Sequence, residues 1–337
     1  MLSPATKITL SAALSAILLQ TALPTQAKPQ TPQQQAQTAI FYQKAKKELP
    51  KDWYVVYRVI DRIARANGLD NSPWRAIVIP EYNINAFATD VNLIAIYSGI
   101  IDQLAGDSSA IACVVGHEMA HHTKRHIAVG KAEKAALIAQ IEKEAEAEVV
   151  AEKKDAESDA NQNSFGGAVL GTLGNVLGGW GNTVSNVGQS SLSNASKQRK
   201  AEAQKRIQEI VTLKKAELEQ RLAESDRRQE FEADEMGYQY IARAGFEPEG
   251  CLRLMEVFAR TPSAEFDTTH PAVPKRIERL KELMAKYPPL TLAQEGKLKI
   301  SASQPLTYDL SQDGNSLRIN SRRGGSAADD IDRRFKQ

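Results

Sequence analysis

The chain has 337 residues, 42% hydrophobic and 25% charged, which suffices for one large domain with appendages or two small ones. Its 43 Lys and Arg stand against 41 Asp and Glu for a net charge of +2, so there is no basic excess to call for nucleic acid as a partner. The two cysteines, Cys113 and Cys251, permit one disulfide in an exported protein or two buried thiols, and neither has the pair spacing of a metal-cysteine site.

Lys7 is the only charge before Lys28, Ile8 to Leu19 is an apolar run, and Thr25-Gln26-Ala27 offers small side chains for cleavage. Residues 1–27 are therefore expected to be a signal peptide cut near Ala27 rather than a retained anchor, because about 12 apolar residues fall short of the roughly 20 needed to span a bilayer. No later apolar run reaches about 18 residues, so the mature chain is expected to be soluble.

Periodicity then predicts a helix from Gln33 to Lys47 and a second from Trp53 to Ala66, striped by Tyr54, Tyr57, Ile60 and Ile63 and stopped at Asn67-Gly68. Trp74 to Ile79 reads as a strand, Asn83 to Ala88 as a turn, and Asn92 to Tyr97 as another strand. Asp107 or Ser108 should cap the next helix, whose buried face carries Ile111, Val114 and Val115. A strand just ahead of that helix could pair its free edge with a substrate peptide through main-chain hydrogen bonds.

That helix contains Gly116-His117-Glu118-Met119-Ala120-His121-His122. His117 and His121 stand one turn apart on one face, so two imidazole nitrogens can converge on one cation with Glu118 beside them, the HExxH arrangement of zinc peptidases. Packed core histidines are the alternative, but four of the chain's five histidines lie within ten residues, a concentration packing does not explain. Tetrahedral catalytic zinc takes three protein ligands and keeps one position for water, so a further ligand is required. A metzincin would place glycine at 124 and histidine at 127, where this chain has Lys124 and Ile127.

Lys131 to Ala160 and Lys197 to Arg228 read as charged amphipathic helices flanking a glycine-rich stretch, Asn161 to Ser196. Together they suggest an antiparallel arm, its tip either a loop or a surface for a partner or membrane. Glu230 to Ala244 is helical and ends at Gly245; helices over Glu249 to Arg260 and Val273 to Lys286 flank the turn Thr268-Thr269-His270-Pro271. Leu306 to Leu310 and Ser316 to Asn320 suggest a β-hairpin, and Ser321 to Gln337 a disordered tail. The candidates for the missing ligand are carboxylates in Glu230-Phe231-Glu232-Ala233-Asp234: Glu230 and Asp234 face the same way, one to bind zinc and the other to orient a ligating histidine.

With His117, Glu118 and His121, a separate E-x-x-A-D helix and a Thr-His-Pro turn, the sequence resembles gluzincin metallopeptidases of the HtpX and CAAX prenyl protease type, closest to secreted bacterial members such as BepA and LoiP. The resemblance covers Trp53 to His126 and Arg227 to Leu283. It implies an α+β, mainly helical zincin domain from residues 28–130 and 227–290, with a small sheet whose edge strand precedes the HExxH helix. Residues 131–226 would form the inserted arm and 291–337 the hairpin and tail. It implies one Zn2+ per chain held by His117, His121 and Glu230, Asp234 behind them, and Glu118 as general base. It further implies His270 and Arg276 facing the metal cleft as oxyanion donors, and a substrate-aligning stretch comprising Asn85, Ala86, Phe87, Asn92, Leu93, Ile94 and Ala95. His122 and His126 lie off the metal face and are read as structural or solvent-facing. The function implied is a periplasmic endopeptidase acting on unfolded or misassembled envelope proteins. The alternative is a chaperone or assembly factor for outer-membrane proteins that docks through the 161–196 tip.

Overall fold

A computed structural model describes residues 31–89, 93–104, 106–158, 194–261, 271–311 and 313–320. The leader, Asn92, the glycine-rich tip, His270 and the C-terminal tail lie outside the described residues.

The chain opens with α1 (Pro32–Glu48), whose start is a capping box between Thr31 and Gln34. The helix α2 (Lys51–Asn67) buries Tyr57, Ile60 and Ile63 and ends at Gly68, which takes a left-handed φ of 71° that a Cβ would resist. The strands β1 (Trp74–Ile79), β2 (Ala86–Ala88) and β3 (Leu93–Tyr97) follow, then α3 (Ser98–Gln103) and α4 (Ser108–Thr123), the helix of the histidines. Two long helices, α5 (His126–Ser158) and α6 (Asn194–Arg243), precede α7 (Glu249–Phe258), α8 (Val273–Lys286) and α9 (Pro289–Ala302). The short strands β4 (Tyr308–Leu310) and β5 (Leu317–Ile319) complete the described chain. The fold is α+β, mostly helical with one small mixed sheet.

The sheet order is β2-β3-β1-β5-β4, with β1 and β3 parallel and the other neighbours antiparallel. This corrects the expectation that the strand ending at Tyr97 is a free edge. Ala95 of β3 pairs with Ile77 on one side and Phe87 on the other, so the backbone of Leu93, Ile94 and Ala95 lies inside the ladder. The stretch read as a turn is extended and folds back on β3: the Asn85 carbonyl accepts from Tyr97 N–H at 3.1 Å, and Thr89 N–H donates to the Leu93 carbonyl at 2.9 Å. The edge is β2.

The C-terminal hairpin is also not an appendage. Its strand β5 pairs with β1, Trp74 opposite Ile319, and the approach to it is fastened to α2, where the Tyr57 hydroxyl donates to the Leu306 carbonyl at 2.6 Å and Asp61 accepts from Leu306 N–H at 2.7 Å. A second departure is α6, a single 50-residue helix where two segments meeting near Gln229 were expected. It contains no proline and only Gly237, which does not stop it. Beyond the core, α5 and α6 run antiparallel, burying Ile141, Ala145 and Leu218, with Lys214 between Glu144 and Glu148 at 3.3 and 3.0 Å. Among the described residues no helix is long and apolar enough to cross a membrane.

The core centres on α4, where Ala110, Ile111, Ala112, Val114 and Val115 are all buried against α2, α6 and α7. Cys113 and Cys251 form a disulfide, Cα atoms 5.2 Å apart, joining α4 to α7 one turn ahead of His117. The alternative of two free thiols is thereby closed.

Candidate metal centre

The site begins with the cap of α4. Asp107 accepts from the backbone N–H of Ser109 at 3.1 Å and of Ala110 at 3.0 Å, and Arg253 of α7 holds the same carboxylate. About two and a half turns later, α4 crosses α6 at two glycines, Gly116 and Gly237. A Cβ on Gly237 would sit 2.9 Å from His117 N and 3.1 Å from the Gly116 carbonyl carbon, while one on Gly116 would sit 2.8 Å from an Ile241 methyl. The two backbones are therefore in direct contact beside His117, which lets Glu230, two turns earlier on α6, reach the histidine face.

His117 Nε2 lies 3.1 Å from His121 Nε2 and 3.3 Å from Glu230 Oε2, and His121 Nε2 lies 3.1 Å from Glu230 Oε1. Ligand atoms about 2.0–2.1 Å from a tetrahedral zinc stand roughly 3.3 Å from one another, a spacing that the two imidazole nitrogens keep from each other and that each keeps from a different oxygen of Glu230. Two imidazoles and a carboxylate are also a donor set that zinc favours. Among the described residues this is the group of His, Cys, Asp or Glu side chains that can hold a metal ion. The electrostatics agree. Burial alone would push the His117 imidazolium pKa down, but the carboxylates of Glu230 and Asp234 outweigh it and hold it up to about 10, so the pocket favours positive charge at this place. His121 is pushed down, chiefly by burial.

Behind the trio, Asp234 Oδ1 lies 3.0 Å from His117 Nδ1. Arg276 of α8 forks onto Asp234, Nε to Oδ2 at 2.8 Å and Nη2 to Oδ1 at 2.6 Å. Burial would raise the Asp234 pKa, yet Arg276 and His117 bring it down to about 2, and Arg276 is itself held above its ordinary value by Asp234 against its own burial. Arg276 was expected to face the cleft as an oxyanion donor. The structure places it behind His117, its fork spent on Asp234 and its Nη1 4.0 Å from Glu230, so it positions the carboxylate that positions the histidine. Glu118 is buried on α4 next to His117.

Of the two readings of His126, structural or solvent-facing, the structure supports the first. His126 is buried, its Nδ1 3.0 Å from His121 Nδ1 and its Nε2 3.1 Å from Glu232 Oε2, while Glu232 Oε1 lies 2.6 Å from Lys124 Nζ. Five residues beyond His121 is off the metal face of a continuous helix. Here α4 ends, and Arg125 in the left-handed region (φ 58°) turns the chain so that His126 comes back onto His121. His122 packs edge-on against Trp74, ring centroids 5.1 Å apart. Sequence reasoning thus missed Gly116, Gly237, Glu232 and the contact of His126 with His121; the available signals were glycines within helical stretches and a fourth histidine so near the other three.

An open cavity of about 540 Å³ adjoins the centre, lined by Leu69, Trp74, Thr89, His121, His122 and Ile127 among others. Thr89 continues the edge strand β2, on which Phe87 is partly exposed and Asn85 Oδ1 accepts from Ala86 N–H at 2.9 Å. The edge and the cavity therefore meet beside the metal-binding face.

Peptidase family M48 matches residues 51–284, a span that takes in α4, α6 and most of α8. The mitochondrial metalloendopeptidase OMA1 of Arabidopsis thaliana is similar to this chain, 30% identical over 95 residues, which cover 28% of this chain and 19% of that protein. The match thus spans about a fifth of that relative's length. No solved structure matches the chain.

Proposed function

The chain belongs to peptidase family M48 and is a metallopeptidase; we propose that its metal is zinc and that its substrates are unfolded or misassembled polypeptides of the bacterial cell envelope. The observation that carries the chemistry is the convergence of His117, His121 and Glu230 at 3.1–3.3 Å with Glu118 alongside. Zinc bound there supplies Lewis acidity and brings the pKa of a water to about 7. The chain's own residues do the rest.

Asp234 accepts the His117 Nδ1 proton and leaves Nε2 as the lone-pair donor. Glu118 takes the proton of the attacking water and returns it to the leaving amine. The exposed edge of β2 offers main-chain groups to an extended peptide, and the cavity beside His121 offers room for one of its side chains. With Arg276 committed to Asp234, the oxyanion donor proposed for this chain is His270 alone. Recognition by main-chain pairing is tolerant of side-chain identity, which suits unfolded substrates. The apolar leader at residues 1–27 supports export to the periplasm as the setting.

The test is Glu118→Gln in the full chain. It should keep one zinc per chain while cleavage of a disordered protein falls by a factor on the order of 10² to 10⁴. Undiminished cleavage by that variant overturns the mechanism, and a wild-type protein without zinc overturns the metal assignment.

A further inference from the structure

Each imidazole that faces the metal position has a second ring nitrogen, and both of these have partners. His117 Nδ1 meets a carboxylate, Asp234. His121 Nδ1 meets another imidazole nitrogen, His126 Nδ1, at 3.0 Å. Two nitrogens at that distance attract only if one carries a proton and the other a lone pair. With a metal ion held between them, His121 Nε2, His117 Nε2 and Glu230 would all turn lone pairs to it, which leaves the His121 proton on Nδ1 to be donated to His126. His126 then carries its own proton on Nε2, where Glu232 Oε2 accepts it at 3.1 Å. The other Glu232 oxygen accepts from Lys124 at 2.6 Å. Every proton in the series Lys124, Glu232, His126, His121 is thereby assigned.

The geometry points to His126 as a positioning residue for His121: oriented by Glu232 and Lys124, it fixes the tautomer and ring plane in which His121 presents Nε2 to the metal. The inference rests on the metal-centre reading above. It gives the two histidines parallel supports that share α6, Asp234 with Arg276 of α8 for His117 and Glu232 with His126 of α5 for His121. The inner contact is buried, with His126 only 4% exposed, so water does not compete for the His121 proton. The outer pair is partly exposed, its side chains 37% and 45% accessible, so Glu232 and Lys124 should matter progressively less.

The experiment is zinc affinity by chelator competition on the full chain, with the visible bands of the cobalt-substituted protein as a second readout. His126→Ala should weaken zinc by about 10- to 100-fold and shift the cobalt bands. His126→Asn, whose side-chain oxygen sits where Nδ1 does, should restore both to near the wild type, and Glu232→Ala should fall between. Zinc affinity of His126→Ala within about twofold of wild type, with unchanged bands, overturns the inference and leaves the metal centre standing. So does equal weakening in Ala and Asn variants together with a lowered melting temperature before metal is added, which marks His126 as packing alone. Failure of the wild type to bind zinc overturns both readings at once.

Discussion

Truncating Arg276 leaves the Asp234 carboxylate buried with only a histidine to answer it. Both side chains are nearly inaccessible, 7% and 5%, and breaking a buried pair from one side typically costs about 3–5 kcal/mol. Arg276→Ala should lower the unfolding free energy by about that amount in urea titrations, and Arg276→Lys should recover only part of it, because one ammonium cannot span both carboxylate oxygens. At this scale the sequence was legible where chemistry repeats at helical spacing. His117, Glu118 and His121 follow from a one-turn interval, and Glu230 and Asp234 emerge as candidates by the same rule. The placement of Arg276 was not legible, since nothing local says that its guanidinium meets a carboxylate 42 residues earlier in the chain. His126 was lost for a different reason: its position depends on one left-handed residue, Arg125, of a type that rarely adopts it.

Two helices must touch for the metal ligands to meet. Gly237→Ala places a methyl within 2.9–3.1 Å of the α4 backbone, and backbone cannot yield as a flexible side chain does. The expected result is a loss of about 1–3 kcal/mol in stability and a larger loss of zinc affinity, read by denaturation and chelator competition on the same protein. The cap of α4 adds a pH dependence. Arg253, by its hydrogen bond, holds the Asp107 carboxyl below its ordinary value, so this group's folded pKa lies under its unfolded one. Its contribution is present above the unfolded pKa of about 3.9 and is lost as pH falls through the folded value. Urea midpoints should drop across that acid range in the wild type and drop less in Asp107→Asn, which keeps a capping oxygen but has no charge to lose. Helix positions were readable at α2, where the apolar stripe stops at Asn67-Gly68, and at α4, where Asp107 caps an apolar face. The strand β2 was not, since three residues give too little alternation to separate a short edge from a turn. The continuity of α6 was missed because a change of composition near Gln229 resembles a boundary while the backbone runs on.

Over the whole molecule, the Cys113–Cys251 bridge closes a sequence interval of 138 residues that contains both arm helices. Reduction, or the paired substitution to serine, should cost about 2–5 kcal/mol in stability, measured as a fall in melting temperature that reductant produces in the wild type and not in the double variant. The hairpin of β4 and β5 was readable from its turn, but its docking onto β1 depends on contacts some 245 residues apart that no local pattern encodes. The arm has the further consequence that it is a lever rooted in the metal centre. Glu230 stands 36 residues after the start of α6 at Asn194, roughly 54 Å at 1.5 Å per residue, and α5 begins three residues after α4 ends at Thr123. A rigid tilt of about 5° about Glu230 therefore carries Asn194 through roughly 5 Å, and motion imposed at the outer end is scaled down by that ratio into sub-ångström displacements among His117, His121 and Glu230.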